Sequence, residues 1–146
     1  MPTVASEYEA LEEFSKIASQ LKNKYPHVFV GDISKVRCVV ITNKERPPAH
    51  KSYWDVKAVP MPIKMDCPYS YYVILYSKDW TEFSEKGKRL LVSDILLAIP
   101  AEDDGKVNAF DLKDYATMVR TFGPDYIENT KAKDPIDDTV EWICRD

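Results

Sequence analysis

Histidines, cysteines and clustered carboxylates are the side chains from which a chain of this size would build a metal centre or an activated nucleophile, and here the first two are scarce. The 146 residues include two histidines, His27 and His50, and three cysteines, Cys38, Cys67 and Cys144. The cysteines are odd in number, widely spaced and form no CxxC pair. They therefore suggest neither zinc nor redox chemistry and read as reduced, mostly buried thiols. His50 and Cys67 are the residue types of a thiol nucleophile and its base, but no third group is present to orient them. The acids around Gly105 lack the alternating oxygen-ligand spacing of an EF-hand, so calcium is not expected. With four glycines in all, the chain has no glycine-rich phosphate loop. No cofactor is expected.

Aromatic residues are more plentiful. Nine tyrosines cannot all be buried without partners for their hydroxyls, so some should reach the surface. Exposed aromatics rimmed by charge are the makings of a protein interface, and on that ground Tyr53, Trp54, Tyr72 and Tyr76 are candidate binding residues. Ordinary sheet packing is the competing explanation for them. Glu102, Asp103 and Asp104 form one acidic cluster and join the binding candidates. Asp134, Asp137, Asp138 and Glu141 form a second, and either cluster also fits a solvated surface.

The elements that must position these residues follow from periodicity. Tyr8, Leu11, Phe14, Ile17, Ala18 and Leu21 recur at helical spacing, which predicts a helix from about Ser6 to Lys24. Ser6 and Glu9 read as its capping box, and Pro26 closes it. Lys35 to Thr42 is rich in β-branched residues and reads as a strand, followed by an exposed loop from Asn43 to Lys51 around Pro47-Pro48. Tyr53 to Val59 reads as a second strand ended by Pro60 and Pro62. Tyr69 to Tyr76 reads as a third, apolar on both faces and so central in its sheet.

Ser84 then caps a helix to about Ile99 that is apolar almost all round and should be buried. Asn108 caps a last helix ending near Phe122 at Gly123-Pro124. The remainder, 125–146, is charged and reads as a short helix or loosely packed tail with Val140, Trp142 and Ile143 as anchors. The fold class is α+β: an N-terminal helix, a small, mostly antiparallel sheet of about three strands, a buried central helix and a C-terminal helix.

Length and composition fit one domain spanning 1–146. Hydrophobic residues make up 45% and charged residues 30%, which is ordinary for a globular protein. The net charge of −4 would repel a phosphate backbone, so direct nucleic-acid binding is not expected. No apolar run approaches the length of a membrane span and the N-terminus lacks a secretory signal, so a location in the cytoplasm of whatever cell makes the protein is expected.

The wording of the second half resembles a family of small zincin-like proteins, the phage-associated metallopeptidases. In that family a strand and a Trp-containing turn lead into a helix carrying HExxH. An acidic Asp-Gly loop and a His-Asp pair opening the next helix follow. The matching text here is Tyr72-Val-Ile-Leu-Tyr76, Asp79-Trp80, Lys88 to Ala98, Asp103-Asp-Gly105, Phe110-Asp111 and Arg120-Thr-Phe-Gly123.

HExxH chemistry needs two imidazoles one helical turn apart on a zinc ion and a glutamate to take a proton from the bound water. In the register of the resemblance, Asp94 and Ala98 replace the two histidines, Ile95 the glutamate, and Phe110 the third ligand. The resemblance therefore implies a degenerate zincin-like scaffold without a metal site. It would be a non-catalytic phage or mobile-element protein that binds a host or phage protein, for example to inhibit a host defence system. Two other classes stay open. One is an active zinc metallopeptidase with displaced ligands, for instance Asp94 and Asp111 with His50. The other is an acidic DNA mimic.

Overall fold

A computed structural model describes residues 5–49, 52–101, 116–123, 126–128 and 131–143. Along the chain these form strand β1 (Tyr8–Ala10), helix α1 (Glu12–Lys24), strands β2 (Val36–Ile41), β3 (Trp54–Ala58) and β4 (Tyr71–Tyr76), and helices α2 (Ser77–Glu82), α3 (Glu85–Leu97) and α4 (Ala116–Phe122). The strands make one sheet in the order β1-β2-β4-β3. The fold is α+β as expected, but the sheet has four strands rather than three and is mixed. β1 runs antiparallel to β2 and β3 antiparallel to β4, while the central pair, β2 and β4, is parallel.

The fourth strand comes from residues expected to be helical. Ser6 and Glu9 do not form a capping box, because 7–11 hydrogen-bond to β2 instead. Leu11 N–H donates to Cys38 O at 3.0 Å and Thr42 N–H to Glu7 O at 3.0 Å. Asn43 clamps the entry to this strand, accepting from Glu7 N–H at 2.9 Å and donating to Ala5 O at 2.8 Å. Pairing with the otherwise open edge of β2 satisfies more backbone groups than one further helical turn would. α1 then starts at Glu12 with Leu11 as N-cap and no side-chain cap, and it buries Phe14, Ile17, Ala18 and Leu21.

Period-two alternation divides the sheet into two unlike faces. Val36, Cys38 and Val40 of β2 and Tyr71, Val73 and Leu75 of β4 point into one core shared with α1, α2, α3 and α4. Trp54, Val56 and Ala58 of β3 pack against the rim of this core. The alternate positions, Arg37 and Val39 on β2 and Tyr72, Ile74 and Tyr76 on β4, are half-buried and lie outside it. Ile41, on the same face, is buried, but it too lies outside the core.

α3 is the central helix of the core. Ser84 Oγ accepts from Gly87 N–H at 3.0 Å, and Leu90, Leu91, Val92, Ile95 and Leu96 are buried. Each such side chain contributes roughly 1.5–3 kcal/mol. The chain leaving α3 passes so close to Gly31 that a Cβ there would lie 2.5 Å from Ile99 Cγ2, so the position requires glycine. α4 ends at Gly123, whose φ of 86° closes the helix with a bond from its N–H to Val119 O. Asn108, Ala109, Leu112 and Tyr115, the expected start of this helix, lie outside the described residues.

Over the segment read as a tail, Tyr126, Pro135 and Val140 are buried, and Trp142 packs edge-on against Tyr25, Phe29 and Phe122. Cations on the helices hold its backbone and acids. Lys24 Nζ donates to the carbonyls of Ile136 and Asp138, Lys86 Nζ to that of Ala132, and Arg89 pairs with both Asp134 and Asp137 at 2.8 Å. Asp134 Oδ1 accepts from the N–H groups of Ile136 and Asp137. Burial pushes the Asp134 carboxyl up, but these backbone donors and the Arg89 guanidinium outweigh it and hold the group below the usual carboxylate value.

Candidate functional site

The α3 positions singled out by the resemblance are interior. Ile95 and Ala98 are fully buried. Asp94 is buried as well, and Trp54 Nε1–H donates to its Oδ2 at 3.0 Å. Trp54 belongs to edge strand β3, so the pair ties that edge to the central helix rather than facing a cleft. Trp54 was a candidate for exposed recognition, but its indole is committed inward. Among the described residues no group of three or more His, Cys, Asp or Glu side chains comes together to hold a metal ion. Phe110 and Asp111, His50, Cys144, Glu102, Asp103 and Asp104 lie outside the described residues.

Tyr53 sits in a second closed arrangement. Its hydroxyl donates to Glu128 at 3.0 Å, its ring meets Phe83 edge-on at 5.0 Å, and Arg46 lies 4.8 Å from its ring centroid. Arg46 in turn pairs with Asp79 at 2.8 Å. Burial and the Glu128 carboxylate push the Tyr53 hydroxyl up, keeping it neutral and donating. The cluster joins the loop after β2 to α2 and to the turn at 126–128. It works as a tie between elements.

The outer sheet face is different. Arg37, Tyr72 and Lys57 stand side by side across β2, β4 and β3. Tyr69 packs edge-on against Tyr72 at 6.1 Å, and Arg37 lies 5.5 Å from the Tyr69 ring and donates to its hydroxyl at 3.3 Å. Cys67 Sγ is 3.7 Å from the Tyr72 hydroxyl. That hydrogen bond, with burial, pushes the Tyr72 hydroxyl up. The next row holds Val39, Ile74 and Asp55, with Ala10 beyond Val39, and the row after it holds Tyr8, Ile41 and Tyr76. Tyr72 and Tyr76, expected as binding residues, therefore share one face.

The connection from β3 to β4, whose Cys67 meets Tyr72, carries three exposed large apolar residues. Met61, Ile63 and Met65 are 67%, 61% and 74% exposed. Their backbone is fixed by a 3-10 turn at Ile63–Met65, with Lys64 N–H donating to Pro60 O and Met65 N–H to Pro62 O, both at 3.0 Å. Sequence reasoning took this stretch only as the end of a strand. Its signal was Pro60-Met-Pro-Ile-Lys-Met65, large apolar residues at every second position in a segment whose prolines keep it out of a sheet.

Cys38 faces the core, and desolvation pushes its thiol far above the ordinary value, which leaves it inert. A cavity of about 390 Å3 lies between the end of α4 and the C-terminal segment, lined in part by Thr121, Lys131, Lys133, Thr139 and Glu141. Compared with protein-family models, curated proteins and solved structures, the chain matches none.

Proposed function

We propose that this protein is a non-catalytic binding protein whose working surface is the outer face of the sheet together with the β3–β4 connection. The observation that carries the reading is the uneven use of apolar side chains. The helix that would bear HExxH chemistry is packed shut, while Met61, Ile63 and Met65 stand in solvent on the β3–β4 connection. Leaving three large apolar groups exposed forgoes roughly 1.5–3 kcal/mol each, and a protein partner that buries them recovers it.

The sequence resemblance adds the further proposal of a degenerate zincin-like scaffold from a phage or other mobile element, with a host or phage protein as its partner. Inhibition of a host defence system is one form of that proposal. No described helix is long and apolar enough to cross a membrane. The non-catalytic reading is tested by elemental analysis of the purified, untagged protein after dialysis against trace zinc. Near-zero occupancy is expected. One zinc per chain, lost with its activity on chelation, would restore the metallopeptidase.

A further inference from the structure

β3 lies at the edge of the sheet and pairs on one side only, with β4. Val59 N–H donates to Ser70 O at 2.8 Å, in line with the β3–β4 register. By the alternation of an antiparallel ladder, Asp55 and Lys57 then turn their backbone groups to β4, and Trp54, Val56 and Ala58 turn theirs to the open side. Ser52 Oγ meets those of Trp54, accepting from its N–H at 3.4 Å and donating to its C=O at 2.9 Å. Among the described residues, nothing bonds the outward N–H and C=O of Val56 and Ala58. Trp54, Val56 and Ala58 pack against the core rim, which leaves the Asp55 and Lys57 side chains on the outer face, 47% and 67% exposed and 4.0 Å apart.

Charge on an edge strand commonly blocks pairing, but the run Trp54-Asp-Val-Lys-Ala58 is its own complement. In an antiparallel pair of two copies centred on Val56, that residue opposes itself, Asp55 opposes Lys57 and Trp54 opposes Ala58, a large side chain against a small one. The Asp55–Lys57 oppositions fall at non-hydrogen-bonded positions, where facing side chains come closest. The neutral Asp55–Lys57 pair of each chain thus meets its inverse, and the signs alternate around all four groups. The adjacent in-phase registers are worse, because they set Lys57 against Lys57 or Asp55 against Asp55. The opposite edge, at β1, has Glu7 and Glu9 at the corresponding positions and no cation to face them.

We infer that a second copy of this chain pairs with the open edge of β3, antiparallel and two-fold symmetric about Val56. Val56 then exchanges both backbone bonds with its copy, and at the ends of the ladder the Ala58 backbone takes over the role that Ser52 Oγ has in the single chain. The two-fold axis is perpendicular to the sheet, so both outer faces lie on one side and the proposed working surface is presented twice. This pairing goes beyond the proposed binding role and does not depend on it. Five residues a side make a short ladder that Pro60, lacking an N–H, does not extend. The association is therefore reversible and set by concentration.

Sedimentation equilibrium of the full chain from about 1 to about 500 μM tests the pairing. The average mass should rise with concentration from 16.8 kDa towards twice that value and stop there. Asp55→Lys puts two cations on the edge and Lys57→Asp two anions, both at exposed positions. Each variant alone should self-associate at least about tenfold more weakly than the native chain. Mixed in equal amounts, the two should associate to within about threefold of the native strength, because each cation again faces an anion. Far-UV circular dichroism and urea midpoints matching the native chain keep a loss of pairing distinct from a loss of fold. A single-chain mass at every concentration would overturn the inference. So would growth beyond two chains, a dimer that both variants leave unchanged, or a mixture that associates no better than its components.

Discussion

α3 and the β3–β4 connection treat the same kind of side chain in opposite ways. On α3, Leu90, Leu91, Val92 and Ile95 lose all contact with solvent and the one acid among them, Asp94, is held by Trp54. On the connection, Met61, Ile63 and Met65 keep most of their surface in water. The difference separates the side chains that hold the fold from those on the surface proposed for recognition. Buried apolar groups on a central helix are what hold the fold, whereas exposed ones on a connection contribute little to it and remain available to a partner.

The sharpest way to break this comparison is to place a charge on each side. Ile95→Glu restores the residue type of the HExxH glutamate, yet the position is fully buried. It should cost on the order of 5 kcal/mol, comparable to the stability of a whole domain, and leave no cooperative thermal transition. A folded Ile95→Glu protein would mean that α3 faces a cleft after all. Gly31→Ala is the next test of closure, because its Cβ would meet both the side chain and the carbonyl of Ile99. A loss of about 1–3 kcal/mol by urea denaturation is expected.

Smaller effects belong to the C-terminal segment. Arg89→Ala removes the partner of Asp134 and Asp137 and should cost about 1–3 kcal/mol. The same pair sets a pH dependence. The folded Asp134 carboxyl lies below its unfolded value, so its contribution is complete above that value, near 3.9, and is lost as pH falls through the folded pKa. Denaturation midpoints of the native protein should therefore drop on acidification below about pH 4, and the Arg89→Ala protein should show less of that drop. The smallest stability change is expected on the other side of the comparison. Met61→Ser/Ile63→Ser/Met65→Ser should stay within about 1 kcal/mol of the native protein by urea denaturation.

Sequence periodicity located α1, α3, β2 and β4 because each has buried side chains at a clear spacing, and β3 was legible from its residue types and flanking prolines although none of its five residues is buried. β4 was expected to be central for its apolar faces, and it does lie between β2 and β3. β1 escaped notice because its three residues are all exposed. What makes it a strand is the free edge of β2 and the Asn43 side chain, neither of which leaves a local pattern. α2 was missed as well, since six residues with one buried side chain, Trp80, carry little periodicity.

For the candidate site, the number of tyrosines singled out Tyr72 and Tyr76, which the structure places on one half-buried sheet face. Trp54 was expected among the exposed aromatics, and its indole N–H is instead drawn inward to Asp94, a contact 40 residues away that no spacing reveals. The exposure of Met61, Ile63 and Met65 is likewise decided by what fails to cover them. That information lies in the packing of the rest of the chain.

The central claim is that the connection, and not the surface at large, meets the partner. Its most direct test places a photo-crosslinking residue at Ile63 and, as a control, at Lys16, which is exposed on the outer side of α1. After irradiation of cells that express the chain, a discrete adduct should form from position 63 and be absent from position 16. Adducts of equal yield from both positions, or none from 63 in cells where an adduct forms from 16, would contradict the account.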